Sequence, residues 1–439
     1  MSSYITKKTP GNTKWFVHDR FGMFIHFGLY AMPARHEWVR NRECITNEDY
    51  EKYFERFDPD LFDAGEWARS AKQAGMKYVV LTSKHHEGFC LWDSKYTDYK
   101  ITKTPFGRDL IKEFVEAFRQ EGLKVGFYYS LIDWHHPDFT IDVLHPLRYS
   151  PDAARLNEER DMKRYAQYMR DQVTELLTNY GKIDILWFDY SYSDANNANY
   201  PALRGKGKED WESEKLIALA RSINPDIIID NRAEVEQDIS TPEQYQMEQW
   251  PKDPVTGEYL VWEACQTFSG SWGYYRDELT WKSHQMLIEM LIKTVSLGGN
   301  LLMNVGPCAR GYFDSRAVSA LEAFGKWMKY NSRSIYGCTM AEPELEAPRG
   351  TLITQSEDSK RLYVHLLSYP FNILPMKNMA DKIAYAQFLH DASEIKYKVG
   401  KPNSMLGFVN VEFDEKTVYF NLPVVKPDQA VPVIEIFLK

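Results

Sequence analysis

The sequence is poor in cysteine and has no long apolar segment. Its 439 residues include 5 cysteines, and none of them forms a Cys-x-x-Cys pair. Cysteines this sparse and scattered argue against a disulfide framework and against a structural zinc site.

No run of about 18 apolar residues occurs, so we expect no membrane-spanning helix. Residues 1–15 lack the apolar core of a secretory signal, and we therefore expect a cytoplasmic protein with no membrane partner.

Positive charge is also in short supply. The chain has 53 Lys+Arg against 62 Asp+Glu, a formal net charge of −9. Because nucleic-acid binding needs a basic face, we expect no nucleic-acid partner. A hydrophobic fraction of 44% and a charged fraction of 26% exclude a disordered chain. Aromatic residues are abundant at 14%, as in many enzymes that bind sugars, although they also fill ordinary cores.

Short apolar runs alternate with longer amphipathic segments between about residues 20 and 330. The runs lie at 22–28, 77–83, 124–130, 183–190, 226–232 and 300–306, with a seventh at 260–266. Gly75 and Gly122 lie just before two of them, as glycines at helix C-termini do. Repeated strand–helix units predict an α/β protein, and the length favours a (β/α)8, TIM-type barrel over a doubly wound sheet. The pattern shows no eighth strand, so we expect an irregular barrel.

The pattern changes after residue 340. Residues 340–350 form a Pro- and Glu-rich connector, and beyond it come seven short strand-like runs, including one at 409–414. Short strands without helical periodicity predict an antiparallel β-sandwich. We therefore predict two domains, a catalytic (β/α)8-like barrel over 1–340 and a C-terminal β-sandwich over 341–439.

Polar residues follow several of the predicted barrel strands, where the active site of such a barrel forms. His26 follows the first strand, His85 and His86 follow the second, and Asp189 ends the fourth. An aspartate at a strand end can simply cap the next turn, but three histidines at the same rim favour a functional carboxylate. A metal site made of these four side chains is an alternative, although the His-x-His on the first strand of metal-dependent barrel hydrolases is absent.

Several long motifs then occur in a fixed order. They are RFGMFIHFG (20–28), HEW (36–38), KYVVLTSKHHEGFCLWDSKYTDY (77–99), LWFD (186–189), WEACQTFSGSWGY (262–274) and GGNLLMNVGP (298–307). Over about residues 15–340 the chain resembles the α-L-fucosidases of glycoside hydrolase family 29. The resemblance implies a barrel followed by a β-sandwich. It also implies a retaining exo-glycosidase that removes terminal α-L-fucosyl residues from oligosaccharides or glycoconjugates, without a cofactor or a metal. It does not fix the oligomeric state.

The resemblance also implies roles for individual residues. It makes Asp189 the nucleophile and Glu243 the general acid/base, with Glu234, Glu236, Glu248 and Glu263 as nearby competitors for the second role. The implied sugar-binding residues are His26, Glu37, Trp38, His85, His86, Tyr128, Trp187 and Arg232. Trp272 or Phe268 is a further candidate for the apolar wall that faces the 6-deoxy methyl group. A non-catalytic fucose-binding protein is the other alternative, and the paired carboxylates argue against it.

Overall fold

The structure is a computed structural model that describes residues 4–196, 203–400 and 414–439. Its helices are α1 (Lys14–Asp19), α2 (Val39–Arg42), α3 (Asn47–Phe54), α4 (Ala64–Gln73), α5 (Leu110–Gln120), α6 (Ala153–Asn157), α7 (Met162–Thr178), α8 (Lys208–Trp211), α9 (Ser213–Ile223), α10 (His284–Ser296) and α11 (Ser315–Asn331). The strands of the first part are β1 (Phe21–Ile25), β2 (Tyr78–Lys84), β3 (Lys124–Ser130), β4 (Ile185–Asp189), β5 (Ile228–Ile229), β6 (Glu263–Thr267) and β7 (Asn300–Val305). Those of the second part are β8 (Cys338–Met340), β9 (Thr351–Ser356), β10 (Arg361–Leu366), β11 (Ile373–Met376), β12 (Ile383–Phe388), β13 (Tyr397–Val399), β14 (Val418–Asn421) and β15 (Val433–Leu438).

The first seven strands form one parallel sheet in the order β5-β4-β3-β2-β1-β7-β6. All of them coincide with predicted runs, and they are buried along almost their whole length. Burial on both faces explains why these strands read as continuous apolar runs rather than as alternating patterns. Helices such as α5, α7 and α10 connect successive strands, which parallel pairing requires. The predicted barrel class is confirmed, with seven regular strands among the described residues.

The helices that cover the sheet begin and end where their sequences indicate. The side chain of Asp63 accepts a hydrogen bond from the backbone N–H of Glu66 at the start of α4, and Asp109 does the same at the start of α5. These N-caps satisfy amide groups that have no partner within the helix. Gly75 and Gly122 follow the two helices with φ of 90° and 78°, a left-handed conformation that glycine adopts without strain. The chain therefore turns sharply from each helix into β2 and β3.

An irregular segment, residues 238–244, spans the gap between the edge strands β5 and β6. Asp238 donates its backbone N–H to the carbonyl of Ile229 at 2.9 Å, which joins the segment to β5. On the other side the backbone N–H of Cys265, in β6, donates to Pro242 at 3.1 Å. The segment thus takes the position of the eighth strand through isolated bridges. Its polar composition and its proline, which cannot donate to a sheet, explain why the sequence pattern shows no strand here.

The C-terminal part contains two antiparallel sheets, β12-β15-β10-β9-β8 and β11-β14-β13. They enclose a separate apolar core that includes Leu362, Val364, Phe420 and Ile436. The β-sandwich is confirmed, and β8 and β11 are additional strands that the sequence pattern did not predict. The predicted strand at 409–414 lies, except for its last residue, outside the described residues. The domain boundary at residue 340 stays a prediction.

No helix within the described ranges is long and apolar enough to cross a membrane.

Candidate active site

The carboxyl end of β4 brings Asp189 to the rim of the barrel. Its neighbour in register on β3 is Ser130, and two residues earlier Tyr128 pairs with Trp187. Alternate strand residues share a face, so Tyr128, Trp187 and Asp189 all project into the barrel interior. The rings of Tyr128 and Trp187 stack with centroids 5.7 Å apart, and the Tyr128 hydroxyl donates a hydrogen bond of 2.7 Å to Oδ2 of Asp189. The carboxylate is therefore held in one orientation at the base of a pocket.

Arg232 joins Asp189 to Glu243. Its Nη1 donates to Oδ1 of Asp189 at 2.8 Å and to Oε2 of Glu243 at 2.7 Å. Because both oxygens accept a hydrogen bond from the same nitrogen, the distance between them is at most about 5.5 Å. The Asp189 side chain is 11% exposed and that of Glu243 is 40% exposed, so one carboxylate lies inside the pocket and the other at its mouth.

The remaining groups of Arg232 are also occupied. Nε donates to Oγ1 of Thr241 at 2.9 Å and Nη2 to the Thr241 carbonyl at 3.1 Å. The guanidinium lies over the ring of Trp187, 4.4 Å from its centroid, in a cation–π contact. Burial lowers the pKa of Arg232, but the carboxylates of Asp189 and Glu243 outweigh it, so its pKa is raised and it stays charged.

Three buried histidines surround the pocket as neutral imidazoles. Burial lowers the pKa of His26 and of His86 to about 3 and that of His85 well below its ordinary value. The amide of Asn304 donates to the carbonyl of Trp272 at 2.6 Å, so its oxygen faces Nδ1 of His26 at 2.7 Å. Nδ1 of His26 then carries the proton, and Nε2 is free to accept a hydrogen bond.

His86 has the same tautomer for a similar reason. The Ser130 hydroxyl donates to the carbonyl of Ile132 at 2.8 Å and so accepts from Nδ1 of His86 at 2.6 Å. Nε2 of His86 is left as an acceptor, 3.8 Å from Oδ2 of Asp189. Nδ1 of His85 is buried and has no hydrogen-bond partner among the described residues.

The structure brings together all but one of the predicted site residues. The pocket is lined by Phe24, His26, Trp38, His85, His86, Tyr128, Trp187, Asp189, Tyr190, Arg232, Glu243, Cys265 and Trp272. Trp272 donates its indole N–H to Oε1 of Glu243 at 3.1 Å and packs against His26 with ring centroids 5.1 Å apart. Trp272 thus lines this pocket, whereas Phe268 does not, and the residue that faces the 6-deoxy methyl group stays a prediction.

Glu37 lies behind the pocket wall rather than on it. Its Oε2 accepts hydrogen bonds from the backbone N–H groups of Trp272 at 3.2 Å and Gly273 at 2.9 Å. Burial raises its pKa to about 7. In this position Glu37 holds the backbone that carries Trp272, and its direct contact with a sugar stays a prediction.

The competing glutamates occupy other environments. Glu263 lies deep in the barrel, where Tyr78 donates its hydroxyl to it and burial raises its pKa to about 7. Glu234 accepts hydrogen bonds from Ser193 and from the backbone N–H of Lys208. Glu236 is paired with Lys7, and Glu248 is exposed.

Across the described part of the chain, no three His, Cys, Asp or Glu side chains are disposed to hold a metal ion.

A second, more open space adjoins the pocket. This cleft, of about 520 Å³, is lined by Asp189, Tyr190, Ser191, Asn231, Arg232, Glu234, Ser240, Thr241, Pro242, Met247 and Pro251. Most of these groups are small or polar. A closed aromatic pocket beside an open polar cleft fits a ligand with one buried and one more exposed sugar unit.

Comparison with known proteins connects this site to one family. A family model described as alpha-L-fucosidase matches residues 4–333. Alpha-L-fucosidase isoenzyme 1 from Paenibacillus thiaminolyticus is 41% identical, with 97% of this chain and 98% of that chain covered and a TM-score of 0.87.

Two further relatives agree. An alpha-L-fucosidase of Dictyostelium discoideum is 29% identical over 361 residues, which cover 76% of this chain and 72% of that protein. A GH29 alpha-L-fucosidase from Bacteroides thetaiotaomicron is 26% identical and has a TM-score of 0.80, with 100% of this chain and 99% of that chain covered. That structure is a trapped covalent intermediate with 2-fluoro-fucosyl fluoride in a Glu-to-Gln mutant. The chain therefore belongs to the α-L-fucosidases of glycoside hydrolase family 29.

Proposed function

We propose that Asp189 and Glu243 carry out the two displacements of this retaining α-L-fucosidase on fucosylated oligosaccharides or glycoconjugates. The observation that supports these roles is the shared donor Nη1 of Arg232, which limits the separation of their nearest oxygens to about 5.5 Å. Retaining glycosidases place their carboxyl groups about 5 to 5.5 Å apart, whereas inverting enzymes need at least about 6.5 Å to admit a water molecule.

In the first displacement an oxygen of Asp189 attacks the anomeric carbon of fucose. The glycosidic C–O bond breaks, and protonated Glu243 donates its proton to the departing oxygen. In the second, Glu243 takes a proton from water, the water oxygen attacks the anomeric carbon, and the bond to Asp189 breaks. Fucose leaves with its original α configuration. The location of Glu243 at the pocket mouth supports its role, because the leaving group and then the water approach from that side.

The other pocket residues would bind the fucosyl unit. The free Nε2 acceptors of His26 and His86 suit sugar hydroxyls, and the ring of His85 lines the same pocket. The rings of Trp38 and Trp272 offer apolar surface to the ring face and the 6-deoxy methyl group.

The assignment is tested by trapping the intermediate. Incubation of the Glu243→Gln variant with 2-fluoro-fucosyl fluoride, followed by proteolysis and mass spectrometry, should place the fluorofucosyl group on Asp189. The double variant that also carries Asp189→Asn should gain no adduct. A label on any other carboxylate would contradict the nucleophile assignment.

A kinetic assay separates the remaining alternatives. The wild-type enzyme should release the phenol from an aryl α-L-fucoside at the same rate with and without EDTA, and NMR should detect α-fucose as the first product. Loss of activity with EDTA would favour the metal-dependent alternative. Binding of fucose without turnover would favour a non-catalytic binding protein.

A further inference from the structure

Tyr190 has a backbone conformation that is unfavourable for a bulky residue. Its φ is 83°, in the left-handed region that side chains with a Cβ rarely adopt. Such strain persists only where the surrounding structure fixes it, and it concentrates at functional sites.

The residues on both sides of Tyr190 are tied down. The carbonyl of Asp189 accepts a hydrogen bond of 2.9 Å from the backbone N–H of Leu131. The Ser191 hydroxyl donates to the carbonyl of Arg232 at 2.7 Å and accepts from the indole N–H of Trp211 at 3.0 Å. The strain at Tyr190 is therefore imposed by fixed neighbours, and it determines where the ring lies.

The ring lies against the side of the fucose pocket. Its centroid is 5.1 Å from that of Trp38 and 5.3 Å from that of His86. Tyr190 also lines the open cleft next to that pocket. Of the residues that the structure describes, three border both spaces, and the other two are the charged Asp189 and Arg232 at the reacting centre. Tyr190 is the aromatic member of these three.

The bond that is cleaved joins the buried fucose to the leaving group, so a residue at this junction lies beside the glycosidic oxygen. We propose that Tyr190 determines which leaving sugars are accepted: its ring closes the Trp38 side of the junction and directs the leaving sugar into the cleft on the Thr241 side. This inference rests on the proposed function. Different linkages point the leaving sugar in different directions, and the ring discriminates among them by steric exclusion.

The test uses α-L-fucosyl disaccharides linked 1→2, 1→3, 1→4 and 1→6, together with an aryl α-L-fucoside, and measures kcat/KM for each. In Tyr190→Gly the ratio between the best and the worst linkage should fall by at least about 5-fold, whatever common change in kcat/KM the aryl fucoside reports for that variant. Tyr190→Phe keeps the ring and should keep the wild-type ratio. Tyr190→Asn, which also tolerates a positive φ, should behave like the glycine variant and serves if that one folds poorly.

Tyr330→Ala is the matched control, because Tyr330 is an exposed residue in the last turn of α11, outside both spaces. An unchanged linkage ratio in Tyr190→Gly would overturn the inference. So would an equal loss on every substrate including the aryl fucoside, since the ring would then serve the fucose pocket itself. If the wild-type enzyme released no fucose from any of these substrates, the proposed function would fail first, before any variant is compared.

Discussion

The hydroxyl of Tyr128 donates a hydrogen bond of 2.7 Å to Oδ2 of Asp189, inside a pocket where Tyr128 is fully buried. Hydrogen bonds to charged groups typically contribute about 1.5 to 3 kcal/mol. We therefore expect Tyr128→Phe to lower kcat/KM for an aryl α-L-fucoside by about 10- to 100-fold, because the nucleophile loses the donor that orients it. Steady-state kinetics measures this loss.

Tyr129 offers the matched control for that substitution. It is the next residue on β3, equally buried, and its hydroxyl donates to Oε1 of Gln172 at 2.8 Å on the opposite face of the sheet. Tyr129→Phe should leave kcat/KM within about 2-fold of wild type, since the bond it loses lies outside the pocket. Equal losses in the two variants would mean that the effect arises from the fold rather than from the nucleophile.

Thr241 positions the arginine that joins the two carboxylates. Its Oγ1 accepts from Nε of Arg232 at 2.9 Å. In Thr241→Val the guanidinium loses this acceptor, and we expect kcat to fall by about 5- to 20-fold with little change in KM. Thr241→Ser keeps the hydroxyl and should retain most of the activity. A valine variant as active as the serine variant would show that Arg232 is held without Thr241.

The sequence predicted the strand-end residues well and the residues that organise them poorly. Asp189 ends one buried parallel strand, and His85 and His86 follow another; the continuous apolar runs of such strands are a strong local signal. The contacts of Thr241 and Cys265 with Arg232 join residues from separate segments, and no local pattern encodes them. The segment in the eighth-strand position contains Pro242, which lacks a backbone N–H donor, so the sequence does not predict a strand there.

Local sequence also does not determine what a long side chain reaches. The HEW motif indicates Glu37 through resemblance, but in the structure its carboxylate faces the backbone of Trp272 and Gly273. That contact depends on how a distant loop packs.

The predicted cytoplasmic location stays a prediction.

The neutral histidines can be observed directly. Because burial lowers the pKa of His26 and His86 to about 3, neither ring should titrate between pH 5 and 8. NMR of the enzyme labelled in its histidine side chains should show constant chemical shifts for both rings over this range, with an added free imidazole as the internal reference. A midpoint inside the range would mean that these rings bind the sugar in the charged form.

Glu263 makes stability depend on pH in a defined direction. Burial raises its pKa from 4.5 to about 7, so the folded protein binds more protons than the unfolded chain between these values. This contribution to stability is complete below about pH 4.5 and is lost as the pH rises towards 7. Glu263→Gln removes the titration. The free energy of unfolding of the variant minus that of wild type should therefore be about 2 to 3 kcal/mol larger at pH 8 than at pH 5.

Urea denaturation at several pH values measures that difference. Only the difference between variant and wild type is informative, because the buried histidines give a pH dependence of opposite sign. Glu289→Gln is the control, since this glutamate is only half-buried on α10 and hydrogen-bonded to Gln285. A pH-independent difference for Glu263→Gln would show that the carboxyl group is already ionised in the folded protein.

The two catalytic roles predict opposite products when azide replaces the missing carboxylate. In Asp189→Gly, azide can enter the space of the nucleophile and attack the anomeric carbon directly, so an activated aryl α-L-fucoside should yield β-fucosyl azide through one inversion. In Glu243→Ala, Asp189 still forms the covalent intermediate and azide displaces it, so two inversions should yield α-fucosyl azide. General acid/base groups typically contribute about 10²- to 10⁴-fold, and azide should restore part of that loss in Glu243→Ala. NMR of the products distinguishes the anomers, and rescue in Glu263→Ala instead would transfer the acid/base role to Glu263.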